Sequence, residues 1–220
     1  MARKRRLRIA SYNINGINSR LPVLTRWLEQ FRPDIAALQE LKCTDEGFPN
    51  SAIEALGYSA LWHGQRSWNG VAILSKVGEP VETRRALPFD PKLDQSRYIE
   101  AAICGMLVGN MYAPNGNPNP GPKFDYKLAW LEALKKHAQE LVDENVPALL
   151  IGDFNIIPAD EDVYKPERWL TDALFAPEAR EQFRELLAQG WTDAIRTLYP
   201  SERIFTFWHY WRNAFRRDAG

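Results

Sequence analysis

The 220-residue chain has only two cysteines and three histidines. Cys43 and Cys104 lie far apart without metal-like spacing, so neither a disulfide framework nor a thiolate zinc site is expected, and a reducing cytoplasm is the predicted compartment. No apolar run approaches the roughly 18 residues that a bilayer span needs, and no membrane association is expected. The basic start, Met1 to Arg8, is followed by a strand-like run with no small-residue cleavage site, which gives no reason to read a secretory signal. Net charge is also missing: 28 Lys and Arg balance 28 Asp and Glu. Whole-molecule charge therefore makes no case for nucleic acid, and any such affinity must come from a local basic face.

Repeats, low-complexity tracts and linkers are absent as well, so a single domain over 1–220, as a monomer, is the expectation. The densest Pro, Gly and Asn stretch, residues 113–123, is short enough to be one functional loop. Short apolar runs rich in β-branched residues predict strands at about 7–12, 35–39, 71–75, 98–103, 106–112 and 148–152. Helices are predicted at about 125–144, where Leu128, Leu131, Leu134, Ala138 and Leu141 recur at spacings of three and four, and at 177–189, closed by Gly190. A third is predicted at 22–31, with Pro22 in a first-turn position. Strands interspersed with helices point to an α/β sandwich of two packed sheets with helices outside. A Rossmann arrangement competes, but no glycine-rich fingerprint follows the first strand.

The chemistry sits where the apolar runs end. Four strand candidates run into Asn13-Ile14-Asn15-Gly16, Gln39-Glu40, Asn110-Met111-Tyr112-Ala113-Pro114-Asn115 and Asp153-Phe154-Asn155. If these strands lie side by side, their ends converge. A rim of two carboxylates, several carboxamides and a phenol, without a Cys or His cluster, suits a hard oxygen-liganded cation such as Mg²⁺ rather than zinc. Such a rim can bind a phosphodiester and use a carboxylate to take a proton from water, which makes phosphoryl transfer the natural reaction class. The bland alternative is that strand ends carry polar residues simply to meet solvent.

Five segments bear on that choice: SYNING at 11–16, LQELK at 38–42, HGQRSWNGVAIL at 63–74, YAPNG at 112–116 and GDFNIIP at 152–158. Together, and in this order across most of the chain, they resemble the exonuclease III and abasic (AP) endonuclease family of the endonuclease/exonuclease/phosphatase superfamily. The resemblance implies a DNase I-like four-layer α/β sandwich and Mg²⁺-dependent hydrolysis of DNA phosphodiesters at abasic sites and 3′ ends, with Mn²⁺ as the alternative ion and double-stranded DNA as the partner. By resemblance, Glu40 is the principal metal ligand and Asn15 lies near the metal. Asp153 orients or deprotonates the attacking water, while Asn155, Asn13 and Tyr112 place the scissile phosphate. Asn115, Trp68 and Arg97 fall where relatives contact flanking backbone, and Phe207 and Trp208, within TFWHYW at 206–211, where relatives line the pocket for an extrahelical abasic sugar. Packing is the competing role for both tryptophans and Phe207, and a surface ion pair for Arg97. Tyr210 and Trp211 are expected to pack. None of His63, His137 and His209 is expected to act as a catalytic base.

The family pattern continues with an Asp in an Arg-Ile-Asp-like strand and a terminal Ser-Asp-His; these 220 residues contain neither. The expectation is a fragment of a longer enzyme, missing the C-terminal strands and with activity much reduced, since catalytic groups that act as a unit lose most of their effect together. A natural short form that binds DNA without cutting is the rival. A phosphatase or phosphodiesterase of the same superfamily is a third reading.

Overall fold

The computed structural model describes residues 6–208 and 213–220. Two compact units emerge, Met1–Ala113 with Glu144–Phe154, and Pro114–Asp143 with Asn155–Gly220.

Among the described residues the first unit holds eight strands: β1 (Ile9–Asn13), β2 (Ile35–Gln39), β3 (Ser59–His63), β4 (Val71–Ser75), β5 (Val81–Arg84), β6 (Tyr98–Ile103), β7 (Met106–Tyr112) and β8 (Ala148–Asp153). They form two four-stranded sheets, ordered β1-β2-β4-β3 and β5-β6-β7-β8. Each is mixed: β1 runs parallel to β2 and β7 to β8, and the remaining pairs are antiparallel. These are the two packed sheets that the sequence predicted, and a single Rossmann sheet is excluded. One detail differs. The four motif-bearing strands do not lie side by side in one sheet; they pair two and two, and their ends meet across the sandwich.

The core follows the two-residue period of a strand. Ala36 and Leu38 of β2, with Ala72 and Leu74 of β4, face one way and pack against Ile17, Leu24 and Leu28 of α1 (Ile17–Phe31) and Ile53 of α2 (Asn50–Glu54). Ile35, Val71 and Ile73 face the other way and meet Ile99, Ala101, Ile103 and Val108 of the second sheet. Because both faces of β2 and β4 are covered, their sequences read as continuous apolar runs, which is why they are legible. Strands β3 and β5 are partly exposed, carry no such run, and were not foreseen.

Helix α1 begins five residues before the predicted start, leaving Pro22 inside it rather than in its first turn. Tertiary bonds set that start: Gly16, at φ +101°, donates its N–H to Glu40 O (2.7 Å), and Ile17 donates to Leu41 O (3.0 Å).

The second unit is built on α3 (Pro122–Asp143), whose apolar stripe buries Trp130, Leu131, Leu134, Ala138 and Leu141. Helix α4 (Pro177–Ala188) packs against α3, tied by Lys135–Glu185 and by Gln189 Nε2 to Lys135 O (3.0 Å). The short α5 (Ala194–Leu198) is capped by Asp193, which accepts from Arg196 N (2.9 Å). Both cysteines are free thiols, and no helix among the described residues is long and apolar enough to cross a membrane.

Candidate active site

The first unit gathers its functional side chains at the ends of β1, β2, β7 and β8. Asn13, the last residue of β1, donates through Nδ2 to both carboxylates, at 2.8 Å to Glu40 Oε1 and 2.9 Å to Asp153 Oδ2. One carboxamide thus joins the motif ends of both sheets. Lys42 places its ammonium 2.8 Å from Glu40 Oε2 and 2.6 Å from Asn15 Oδ1. The Tyr112 hydroxyl also hydrogen-bonds Glu40. Asn13, Asn15, Glu40, Tyr112 and Asp153, chosen from sequence, are therefore brought together.

Backbone geometry makes this clustering specific. Asn15, Glu40 and Lys42 all adopt left-handed φ values, +47°, +55° and +53°. For residues with a Cβ this costs of order 1 kcal/mol or more each and persists only where the surroundings over-determine it. Here Ile14 N bonds Gln39 O (3.0 Å), Leu41 N bonds Gly70 O (3.1 Å) and Lys42 N bonds Asn69 O (3.0 Å), locking the turns after β1 and β2 to each other and to the loop before β4. In β8, Gly152 approaches β7 so closely that a Cβ there would stand 2.0 Å from Met111 O. Only glycine allows that approach, and it sets the position of the Asp153 backbone, whose carbonyl accepts from Ala113 N (2.9 Å).

Below this rim lies a layer that the sequence reading placed on the rim itself. Gln39 and Asn110 are fully buried, not exposed strand ends. Asn110 shares the inter-sheet face with Val108. Its Nδ2 donates to Leu38 O (2.9 Å) and Ala72 O (2.8 Å), and its Oδ1 accepts from Gln39 Nε2 (2.8 Å). They are consumed in joining the sheets beneath Glu40 and Tyr112.

The electrostatics are those of a partly shielded anionic cluster. Burial alone would raise the Glu40 pKa, but hydrogen bonds from Lys42 and Asn13 and the Lys42 charge outweigh it and hold the carboxyl below its ordinary range. Tyr112 moves the other way: burial, then the charges of Glu40 and Asp153, push its phenol far up, so it remains a hydrogen-bond donor. Arg97 is pinned over Tyr112, with its guanidinium carbon 5.1 Å from the ring centroid and its Nη1 donating to Tyr112 O (3.1 Å). Among the described residues it makes hydrogen bonds rather than the ion pair considered for it. Trp68 is 70% exposed and takes the Lys42 ammonium 5.3 Å from its ring centroid, so it is not a packed core aromatic.

In the second unit, Asn115 is exposed and Asn155 is partly buried; the carbonyls of both accept from the buried Lys127 ammonium. Phe207 is half exposed, whereas Trp208 packs edge-on against Phe205 and Phe215, with ring centroids 6.4 and 5.5 Å away. His209, Tyr210 and Trp211 lie outside the described residues. Burial lowers the His63 pKa, and His137 is buried on α3 with Nδ1 3.3 Å from Glu140. Lys42 and Lys127 are the residues that sequence reasoning missed. Lys42 stood within LQELK, but the motif text carries no sign that its ammonium closes over Glu40.

A divalent cation fits the donor set of the first unit. Glu40 and Asn15 turn hard oxygens toward one point, and a cation already sits between them as the Lys42 ammonium. No group of three His, Cys, Asp or Glu side chains converges among the described residues; the oxygens that meet the Lys42 ammonium are those of the Glu40 carboxylate and the Asn15 carboxamide.

Comparison with known proteins agrees. The model of the endonuclease/exonuclease/phosphatase family matches residues 10–220. An exodeoxyribonuclease III of Haemophilus influenzae is 35% identical, over 94% of this chain and 81% of its own length. Among solved structures, an AP endonuclease from Archaeoglobus fulgidus superposes with a TM-score of 0.92 at 37% identity, over 98% of this chain and 83% of that one. A 3′ phosphatase from Neisseria bound to a product DNA hairpin superposes at 0.91 with 36% identity, again over 98% and 83%. By fold, by motif and by these matches, the chain belongs to the endonuclease/exonuclease/phosphatase family, among its exodeoxyribonuclease III and AP endonuclease members.

Proposed function

We propose that the protein is a DNA-repair nuclease that hydrolyses phosphodiesters at abasic sites and 3′ ends of duplex DNA, with Mg²⁺ at Glu40 and Asn15. The observation that carries this reading is the Asn13 carboxamide holding Glu40 and Asp153 together, at 2.8 and 2.9 Å, beside a cation-accepting pair of oxygens. When bound there, the cation supplies positive charge against the charge that develops on the phosphate. The protein's groups do the rest. Asp153 orients a water and takes its proton; the Asn13 N–H on Oδ2 fixes the direction from which that carboxylate acts. The Tyr112 phenol, kept protonated, donates toward a phosphate oxygen. Asn155, two residues after Asp153, and Asn115, three after Tyr112, are assigned to phosphate contacts by their place in the motifs. Trp68, with Lys42 beneath it, and Arg97 are assigned to flanking backbone, and Phe207 and Trp208 to the abasic sugar. A monomer in a reducing cytoplasm is part of the same proposal.

Release of a 3′ phosphate is a second reaction of the same site, favoured by the Neisseria 3′ phosphatase among the structural neighbours. The test is incision of a 5′-labelled duplex bearing one abasic site, in Mg²⁺ and in EDTA, with the unaltered protein and with Glu40→Gln. Incision that needs Mg²⁺ and falls at least about 100-fold in Glu40→Gln supports the reading. Incision indifferent to both changes refutes it. Salt-dependent binding to the abasic duplex that survives Glu40→Ala, with no incision by the unaltered protein, would assign the chain to DNA binding alone.

A further inference from the structure

Asn115 lies in the short run Asn115-Gly116-Asn117 and is exposed, yet its side chain is not free to turn. Its Oδ1 accepts from the Asn117 backbone N–H at 3.2 Å and from Asn117 Nδ2 at 3.0 Å. A backbone N–H can only donate, so the atom facing it must be the oxygen, and the amide orientation is settled without ambiguity. Both lone pairs of that oxygen are then engaged. Asn117 is itself fixed: its Oδ1 accepts from Ala173 N (3.0 Å), and its Nδ2 also donates to Asp172 Oδ1 (3.0 Å), which accepts from Leu174 N (2.9 Å). From the other side the buried Lys127 ammonium holds the Asn115 carbonyl at 3.1 Å. Gly116 completes the clamp, since a Cβ there would lie 2.7 Å from Lys127 Cδ.

We infer that Asn117, braced by Asp172, is a positioning residue that locks the Asn115 carboxamide with its NH₂ turned outward, so that Asn115 selects a hydrogen-bond acceptor, namely a phosphodiester oxygen. The inference rests on the proposed role of Asn115 in contacting the DNA backbone. Its physical content is preorganisation. An unrestrained Asn must be ordered on binding and offers either its oxygen or its nitrogen to the ligand, and an oxygen turned to a phosphate repels it. A locked amide avoids both costs, and unlocking it is expected to weaken binding about three- to tenfold.

The experiment measures the Kd of the full chain for a fluorescent duplex carrying a stable abasic-site analogue, in EDTA so that the strand stays intact. Asn115→Ala, Asn117→Ala, the double variant and Asn115→Asp are compared. We expect Asn115→Ala and Asn117→Ala each to weaken binding several-fold, and the double variant to be no weaker than Asn115→Ala. Such non-additivity is the signature of a residue acting through another. Independent multiplication of the two losses overturns the inference, because Asn117 would then serve only loop structure. No effect of Asn115→Ala instead overturns the reading that Asn115 contacts DNA. Where Asn117→Ala unfolds the protein, Asn115→Asp decides: it keeps an oxygen for Asn117 but turns a second oxygen outward. Binding weaker than that of Asn115→Ala supports the donor assignment, and binding equal to or tighter than it overturns it.

Discussion

Replacing Asn110 with Leu tests whether the buried amide layer under the site joins the two sheets. The substitution keeps the branched four-atom shape of the side chain with bulkier ends, so it leaves no cavity, but it deletes the bonds to Leu38 O, Ala72 O and Gln39 Nε2. At about 1 kcal/mol net for each neutral hydrogen bond this is about 3 kcal/mol. Buried carbonyls facing hydrocarbon raise the total to about 3–5 kcal/mol, a large share of the 5–15 kcal/mol typical of a folded domain. A chain of this size should lose roughly 10 °C in Tm. Gln39 is not wholly orphaned, since its Nε2 also reaches Ala37 O at 3.1 Å. The Gln39→Leu and Asn110→Leu double variant should therefore cost less than the sum of the singles, by about 1–2 kcal/mol, because their shared bond is lost only once. Urea denaturation of the four proteins measures this. A loss below about 1 kcal/mol for Asn110→Leu, or strict additivity, would refute the reasoning.

Four further outcomes rest on the structure. Lys42→Met removes the ammonium that competes for Glu40 and Asn15, so Mg²⁺ should raise the Tm of the variant by more than that of the unaltered protein; equal increments would count against a shared site. Cys43 is buried, and burial, with a smaller contribution from Asp45, lifts its thiol from 9.0 to about 11, whereas Cys104 is exposed. At pH 8 one thiol should react rapidly with a disulfide reagent and one should not, and two fast thiols would show the buried assignment to be wrong. Because the folded state keeps that Cys43 proton longer than the unfolded chain does, its contribution to stability should fall as pH rises from about 9 to 11. Gly152→Ala, whose Cβ has nowhere to go at 2.0 Å from Met111 O and at φ +141°, should cost about 3 kcal/mol or more and displace Asp153. A near-unchanged melting curve with full incision would contradict the close approach of β8 to β7.

Much of the first unit was legible because buried strands announce themselves. β2 and β4 are covered on both faces, and their bounds match the apolar runs to the residue. The same holds for β6 and β7, where tight turns punctuate the sequence. The partly exposed β3 and β5 carry no run and could be found only once pairing placed them beside β4 and β6. The start of α1 is set by bonds from Gly16 and Ile17 to the turn after β2, so a local reading of Pro22 could not find it.

The candidate site divides along the same line. The expectation that the strand ends converge was available from the chain alone, because each motif closes an apolar run, and the choice of Asn13, Asn15, Glu40, Tyr112 and Asp153 came from the resemblance of those motifs to the family. Which polar residues face outward was not available. Gln39 and Glu40 are adjacent and chemically similar, yet one is sealed between the sheets and the other caps the rim at φ +55°. That difference arises from side-chain alternation and from long-range backbone bonds. Likewise the Lys42 ammonium over Glu40 and the Asn117 lock on Asn115 depend on distances of a few ångströms between segments that the sequence merely lists in order. The sequence by itself therefore determined the buried strand-forming segments, the family and the chemical types at the rim. Only the tertiary structure decided which of those groups are donors held in place, which are buried struts and which carboxylate is covered by a cation, because hydrogen-bond geometry and desolvation exist only once the chain has closed on itself.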